Sequence, residues 1–140
     1  MAVGQCAVMA DEDYEVAVSA GSLRSAAGIP MPHRWTPDGV VVEAPFTGAH
    51  LLHLAVAGCV LNDVHREAEH LGIVLHGVRV VARGGFDATT WRSTGVSYEV
   101  QVASDASDDV IAALIEVVDE IAEIPKALRA GTSVVRRLPG

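Results

Sequence analysis

The segment that most constrains the fold is a long, largely apolar helix predicted between Thr47 and Gly72. Thr47 offers a side-chain oxygen as the N-cap, and Gly72 offers the C-terminal stop. One face repeats apolar residues at the spacing of a helix that packs on a sheet. The residues of this stripe are Ala57, Leu61, Val64, Ala68 and Leu71.

The opposite face of this helix is also apolar in its first half and becomes polar just after Cys59. Its residues are Leu52, Ala55, Val56, Cys59, Asn62, Asp63 and Arg66. Because one sheet covers only one side of a helix, the other side needs a second helix to cover it. That helix belongs either to this chain or to a second subunit.

The remaining pattern predicts an α+β fold with a mostly antiparallel sheet, formed by one domain over residues 1–140. The predicted strands cover residues 14–20, 23–27, 40–44, 73–86 (broken near Gly84 and Gly85), 94–104 and 132–138. A proline-rich loop is predicted at 28–38 and a hairpin loop at 87–93. A second helix starts with Ser107 as its cap, and Pro125 ends or kinks it.

Charge and composition exclude several functional classes. The net charge is −8, which argues against a nucleic-acid partner, since such proteins need a basic face. No apolar run approaches the ~20 residues of a membrane span, and the first residues lack a signal-peptide pattern. We therefore expect a cytoplasmic protein without a membrane partner. Two cysteines, Cys6 and Cys59, do not indicate a disulfide framework there.

Cys59 is the candidate nucleophile, with a structural alternative. A free cysteine is often a small buried hydrophobe. In the middle of a helix it gains nothing from that helix's N-terminus, and Asp63, one turn later, opposes a thiolate. Cys59 is therefore either a reactive thiol supported by a nearby arginine or an inert core residue.

The sequence around Cys59 resembles the OsmC/Ohr family, the osmotically inducible and organic hydroperoxide resistance proteins. The helix reads LLHLAVAGC up to Cys59, and the hairpin VRVVARGGFDATTWRSTGVSYEVQV and the following helix also fit the family. The resemblance implies an OsmC-like fold with a long central cysteine-bearing helix and a second helix. It also implies an intertwined homodimer with active sites at the subunit interface.

The resemblance also assigns roles to individual positions. Cys59 matches the cysteine that attacks a hydroperoxide, while Ile124, before Pro125, stands where the family has its second cysteine. Ala49 stands where peroxidases carry a glutamate, and His50 beside it is a candidate replacement.

The family's catalytic arginine matches Arg24 or, as an alternative, Arg34. A sulfenic acid at Cys59 would then be reduced by an external thiol. Cys6 would resolve it only if the N-terminus folded over the site.

The histidines and one loop each have a structural and a functional interpretation. The pairs His50/His53 and His65/Glu69 share helical faces, but a third ligand is not evident, so we predict no metal and no cofactor. The loop 28–38, with Trp35, is either a lid over an apolar pocket or an ordinary connection.

Three functions remain open from the sequence. The first is a one-cysteine, thiol-dependent organic hydroperoxide reductase that uses Cys59 as nucleophile and Arg24 or Arg34 to stabilise the thiolate. The second is a non-peroxidase OsmC-like protein that binds or transforms a small apolar metabolite in the dimer-interface cleft. The third is a binding protein in which Cys59 is only a core residue.

Overall fold

The computed structural model describes residues 13–140 and places one five-stranded antiparallel sheet beside three helices. The elements are β1 (Val16–Gly21), β2 (Ile29–Met31), β3 (Val40–Glu43), α1 (Gly48–Leu71), β4 (Leu75–Phe86), β5 (Ser93–Ser104), α2 (Asp108–Ile121) and α3 (Glu123–Ala130). The order across the sheet is β2-β3-β1-β4-β5, and every neighbouring pair is antiparallel. The predicted α+β class is confirmed.

The core lies between one face of the sheet and the inner sides of α1 and α2. It is almost wholly aliphatic, because Val and Ala dominate the inward positions of both layers. The strands contribute Val16, Val18, Ala20, Val40, Val42, Val78, Val80 and Ala82, and the helices contribute Ala57, Val60, Leu61, Val64, Ala68, Leu114 and Val118. Ala122, between α2 and α3, completes the core. This burial fixes α1 across the sheet and so positions Cys59.

Both predicted ends of α1 are confirmed. The Thr47 side chain accepts a hydrogen bond from the His50 backbone N–H at 3.1 Å. Gly72 adopts φ 69°, the left-handed conformation that glycine tolerates, and its N–H bonds back to the last turn.

The predicted strand at 23–27 is wrong, because the chain leaves the sheet at Gly21, which has φ 64°. The following turn folds back, and the Ser25 N–H donates to the Ser19 hydroxyl at 2.8 Å. The predicted loop 28–38 instead contains β2, which pairs with β3. Pro30 is tolerated because β2 is an edge strand, where a missing N–H costs little.

The two glycines expected to break β4 do not break it. The strand runs through Gly84 and Gly85 to Phe86, with an irregular register between Leu75 and Gly77 and again between Gly85 and Phe86. A Cβ at Gly84 would lie 2.2 Å from the carbonyl oxygen of Gly95, so glycine permits the close approach of β5.

The C-terminal part of the chain also differs from the prediction. The second helix ends at Ile121, since Ala122 turns to ψ 123°, and α3 begins directly afterwards with Pro125 in its first turn. Proline is compatible with that position because first-turn N–H groups lack partners in the helix. The predicted strand at 132–138 is wrong: these residues have no regular structure and pair with no strand of the described chain.

Candidate functional site

Cys59 lies half-buried on α1, on the side covered by the start of α3. The backbone N–H groups of Ile124 and Glu123 face its sulfur and favour the thiolate. The N-terminus that assists Cys59 therefore belongs to α3 and not to α1, the helix that carries the thiol. Only the family's pairing of Cys59 with the position of Ile124 predicted this contact.

The electrostatic balance at Cys59 nonetheless favours the protonated thiol. Burial raises its pKa most, and the negative charges of Asp63 and Glu123 raise it further. The N–H groups of Ile124 and Glu123 act in the opposite direction without cancelling these effects. Since an ordinary cysteine already titrates above neutral pH, Cys59 is mostly a neutral thiol at pH 7. The predicted opposition by Asp63 is confirmed.

An arginine on the same face of α1 is occupied by carboxylates. Arg66 Nη2 lies 3.1 Å from the buried Asp63 Oδ2, its Nε bonds to Glu67 Oε2 at 3.1 Å, and its Nη1 lies 3.8 Å from Glu123 Oε1. Burial raises the pKa of Asp63, and Arg66 opposes this. The guanidinium of Arg66 is thus held by two of the carboxylates that act on Cys59.

A cleft of about 290 Å³ opens beside Cys59, between α1, β5 and α3. Its walls are mainly apolar. The lining residues are Leu52, Val56, Ser93, Gly95, Val96, Tyr98, Pro125, Leu128 and Arg129. Leu52, Val56 and Cys59 follow one another at helical spacing, so the thiol comes next along the face of α1 that lines the cleft, although Cys59 itself is not a lining residue. The volume is close to the lower limit of typical small-molecule pockets.

A hydrogen-bond network closes one side of the cleft. The Tyr98 hydroxyl donates to Asp119 Oδ1, and Arg129 donates to the same oxygen at 2.8 Å and to the Asp119 carbonyl at 2.9 Å. Burial, together with Asp119, raises the pKa of Tyr98, so the phenol stays neutral. Sequence reasoning missed this network because the turn at Ala122 sets where Arg129 lies relative to Asp119.

The structure brings only some predicted site residues together. Ile124 lies against Cys59, whereas His50 is nine residues away on α1, or about 14 Å along the axis. His50 is buried, and its Nδ1 lies 2.6 Å from the Thr47 hydroxyl.

The two candidate arginines lie elsewhere in the chain. Arg24 lines a shallow cavity with Pro30 and Val41, and Arg34 stacks on Trp35 at 5.4 Å from the ring centroid. Their role at Cys59 stays a prediction. Cys6 lies outside the described residues.

Residues 13–140 contain no group of three or more His, Cys, Asp or Glu side chains arranged to hold a metal ion. Within the same range, no helix combines the length and the apolar character needed to cross a membrane.

Together, the fold and the site define a small α+β protein with a helical thiol beside an apolar cleft. The chain belongs to the OsmC-like protein family, whose model matches residues 43–135. No curated protein matches the chain significantly.

Two solved structures share its fold. An OsmC-like protein from Mycoplasma pneumoniae is 13% identical with a TM-score of 0.57, over 67% of this chain and 75% of that one. An OsmC-like hydroperoxide resistance protein from Jannaschia sp. CCS1 is 14% identical with a TM-score of 0.50, over 91% and 95%.

Proposed function

We propose that this protein binds a small apolar molecule in the cleft beside Cys59 and does not turn over hydroperoxides. The observation that carries this proposal is the pairing of an apolar cleft of about 290 Å³ with a thiol whose pKa is raised. Apolar walls with a few polar groups are typical of small-molecule sites. Efficient attack on a peroxide requires a thiolate, and both Asp63 and Glu123 oppose it.

The polar side of the cleft indicates how such a ligand would be oriented. A guanidinium carries five N–H donors, and Arg129 uses two of them on Asp119. The remaining donors would suit a ligand with one hydrogen-bond acceptor at that end. Its apolar part would then lie along Leu52, Val56 and Leu128.

Titration with 2-phenyl-2-propanol tests this function, because this alcohol resembles an organic hydroperoxide in shape but cannot oxidise a thiol. We expect saturable binding by calorimetry. Leu128→Trp, which fills the cleft from a partly exposed position, should weaken binding about tenfold or more. Val74→Trp is the control, since Val74 is exposed and outside the cleft. Equal affinity in both variants would refute the proposal.

The second candidate is a one-cysteine organic hydroperoxide reductase, favoured by the N–H groups that face the sulfur. The Cys59 thiolate would attack the peroxide, cleaving the O–O bond to give a sulfenic acid and an alcohol. One external thiol would form a mixed disulfide and release water, and a second would regenerate Cys59. Arg24 or Arg34 would have to come from a second copy, since both lie elsewhere within one chain.

Cumene hydroperoxide distinguishes the two candidates. If the protein only binds ligands, intact mass shows a reduced Cys59 after minutes with a small excess of peroxide, and Cys59→Ser consumes peroxide no more slowly than wild type. Rapid addition of one oxygen, lost in Cys59→Ser, with thiol-dependent turnover, establishes the reductase instead.

Both candidates are proposed to act as a homodimer built on α1. Leu51, Ala55 and Gly58 follow one another at helical spacing and face solvent wholly or partly in the single chain. Small residues allow two helices to approach closely, so a second copy of α1 would cover this face. The helix face that the sequence predicted to need a second helix shares only Ala55 with this stripe, and at Cys59 that face is covered by α3 of the same chain.

Sedimentation velocity tests the dimer. Ala55→Glu places a charge on the exposed stripe and should shift the protein toward the monomer. Ala113→Glu is the matched control, because Ala113 is exposed on α2 and lies away from this stripe. A monomeric wild type, or a dimer unaffected by Ala55→Glu, would exclude this arrangement.

A further inference from the structure

A second cavity of about 240 Å³ lies at the other end of α1 and shares no lining residue with the cleft. Its lining residues are Gly21, Trp35, Thr36, Pro37, Asp38, His65, Leu75, His76 and Gly77. His65 is six residues beyond Cys59, which places it about 9 Å further along the helix axis and on another face. The cavity is therefore a separate place in the molecule.

The loop that forms one wall of this cavity is anchored to the helix. His33 Nε2 lies 2.9 Å from Asn62 Oδ1 on α1, and its Nδ1 lies 2.8 Å from the Thr36 hydroxyl. The His33 ring also stands edge-on to His65, with centroids 5.2 Å apart. These contacts hold Trp35 and Asp38 in place, so the cavity is a formed site rather than a gap under a loose loop.

Two of the polar groups in this cavity, His65 and Asp38, offer hydrogen-bond acceptors. His65 Nδ1 donates to the Leu61 carbonyl at 2.9 Å, which leaves Nε2 with a lone pair. Burial lowers the pKa of His65, so the ring stays neutral at physiological pH. Among residues 13–140, no hydrogen bond or ion pair engages the Asp38 carboxylate. His76, in contrast, lies 3.1 Å from Asp105.

We propose that this cavity is a second ligand site, which takes a small arylalkyl amine. The ammonium group donates to the Asp38 carboxylate and to His65 Nε2, and the aromatic ring lies against Trp35. A negative charge and a bare acceptor select a cationic donor. Arg34 stands over Trp35 at 5.4 Å from the ring centroid but does not line the cavity. The volume of the cavity limits the ligand to about one ring.

Benzylamine, which is protonated at neutral pH, is the test ligand, and Trp35 is the reporter. The exposed Trp91 is first replaced by Phe, so that the emission comes from Trp35 alone. We expect a saturable change in emission with benzylamine, and binding at least about tenfold weaker with benzyl alcohol, which has the same ring without the charge.

Two variants locate the site. Asp38→Asn removes the charge from an exposed position and should weaken benzylamine binding about tenfold, and His65→Phe should do the same. Leu128→Phe in the cleft, which adds no tryptophan emission, should leave benzylamine binding unchanged. The proposal is overturned by no saturation up to about 10 mM benzylamine, by equal affinity for the alcohol, or by full affinity in Asp38→Asn.

Discussion

Replacing Thr47 by Ala would decide whether His50 is a structural residue or a free catalytic group. The Thr47 oxygen accepts from the His50 backbone N–H at 3.1 Å and also lies 2.6 Å from the imidazole Nδ1. One hydroxyl therefore caps α1 and satisfies a side chain that is only 4% exposed. Because the Thr47 hydroxyl engages the imidazole, His50 has no free Nδ1 for substrate chemistry.

The expected loss of stability follows from these two bonds. Losing an N-cap costs about 1 kcal/mol, and leaving a buried imidazole nitrogen without a partner costs about 1–3 kcal/mol. Thr47→Ala should therefore lower the free energy of unfolding by about 2–4 kcal/mol. In a chain of this size, that corresponds to a fall in Tm of roughly 7–14 °C.

Ser107 offers a matched comparison within the same chain. Its side chain caps α2 by accepting from the Val110 N–H at 3.3 Å and makes no contact with an imidazole. Ser107→Ala should cost about 1 kcal/mol, and Thr47→Ser, which keeps the hydroxyl, should cost less than that. The measurements are urea and thermal denaturation followed by circular dichroism.

The double variant Thr47→Ala/His50→Ala supplies the coupling energy. We expect the two losses to overlap by about 0.5–2 kcal/mol, as is usual for residues in contact. If Thr47→Ala costs no more than Ser107→Ala and the coupling is zero, the reasoning is wrong. Water would then replace the hydroxyl, and His50 would be free to act on a ligand.

Three further predictions concern the site and its frame. Asp63→Asn should lower the pKa of Cys59, because it removes a nearby negative charge, and iodoacetamide should then alkylate the thiol faster at pH 8. Glu69 is an exposed acid on the same helix, so Glu69→Gln should not change the alkylation rate. The Tyr98 hydroxyl and Arg129 lower the pKa of Asp119. The ionised Asp119 therefore stabilises the fold above its unfolded pKa of 3.8, and this stabilisation is lost as the pH falls through the lower folded pKa. In pH-dependent urea melts, the difference in stability between wild type and Asp119→Asn should close over that acid range. Gly84→Ala should lower the free energy of unfolding by about 1–3 kcal/mol, because the added Cβ would lie 2.2 Å from the Gly95 carbonyl oxygen. Gly48 has open space around it, so Gly48→Ala should leave the melting temperature unchanged when both variants are compared by thermal denaturation.

The parts of the fold predicted correctly are those with strong local patterns. The long helix α1 shows a clear period and both caps, and β4 and β5 alternate over most of their length. The prediction failed at 132–138, where the residues suit a strand but the described chain provides no neighbour for it. A strand depends on a partner far away in sequence, which composition alone does not supply.

The candidate site was predicted in the same uneven way. Cys59 and Asp63 lie one helical turn apart, so their interaction could be deduced from spacing. The approach of Ile124 followed from the family resemblance. The Tyr98–Asp119–Arg129 network could not be predicted, because it depends on the turn at Ala122, which no glycine or proline marks at that residue.

The short helix α3 contributes three parts of the site at once: the N–H groups at Cys59, one wall of the cleft, and Arg129. It is only eight residues long, and Pro125 is its one buried residue. Elements with little buried surface open by local unfolding well before the whole domain does. The lifetime of the assembled site is therefore set by the local opening of α3, which amide exchange reports, and a variant can keep its melting temperature while losing the site.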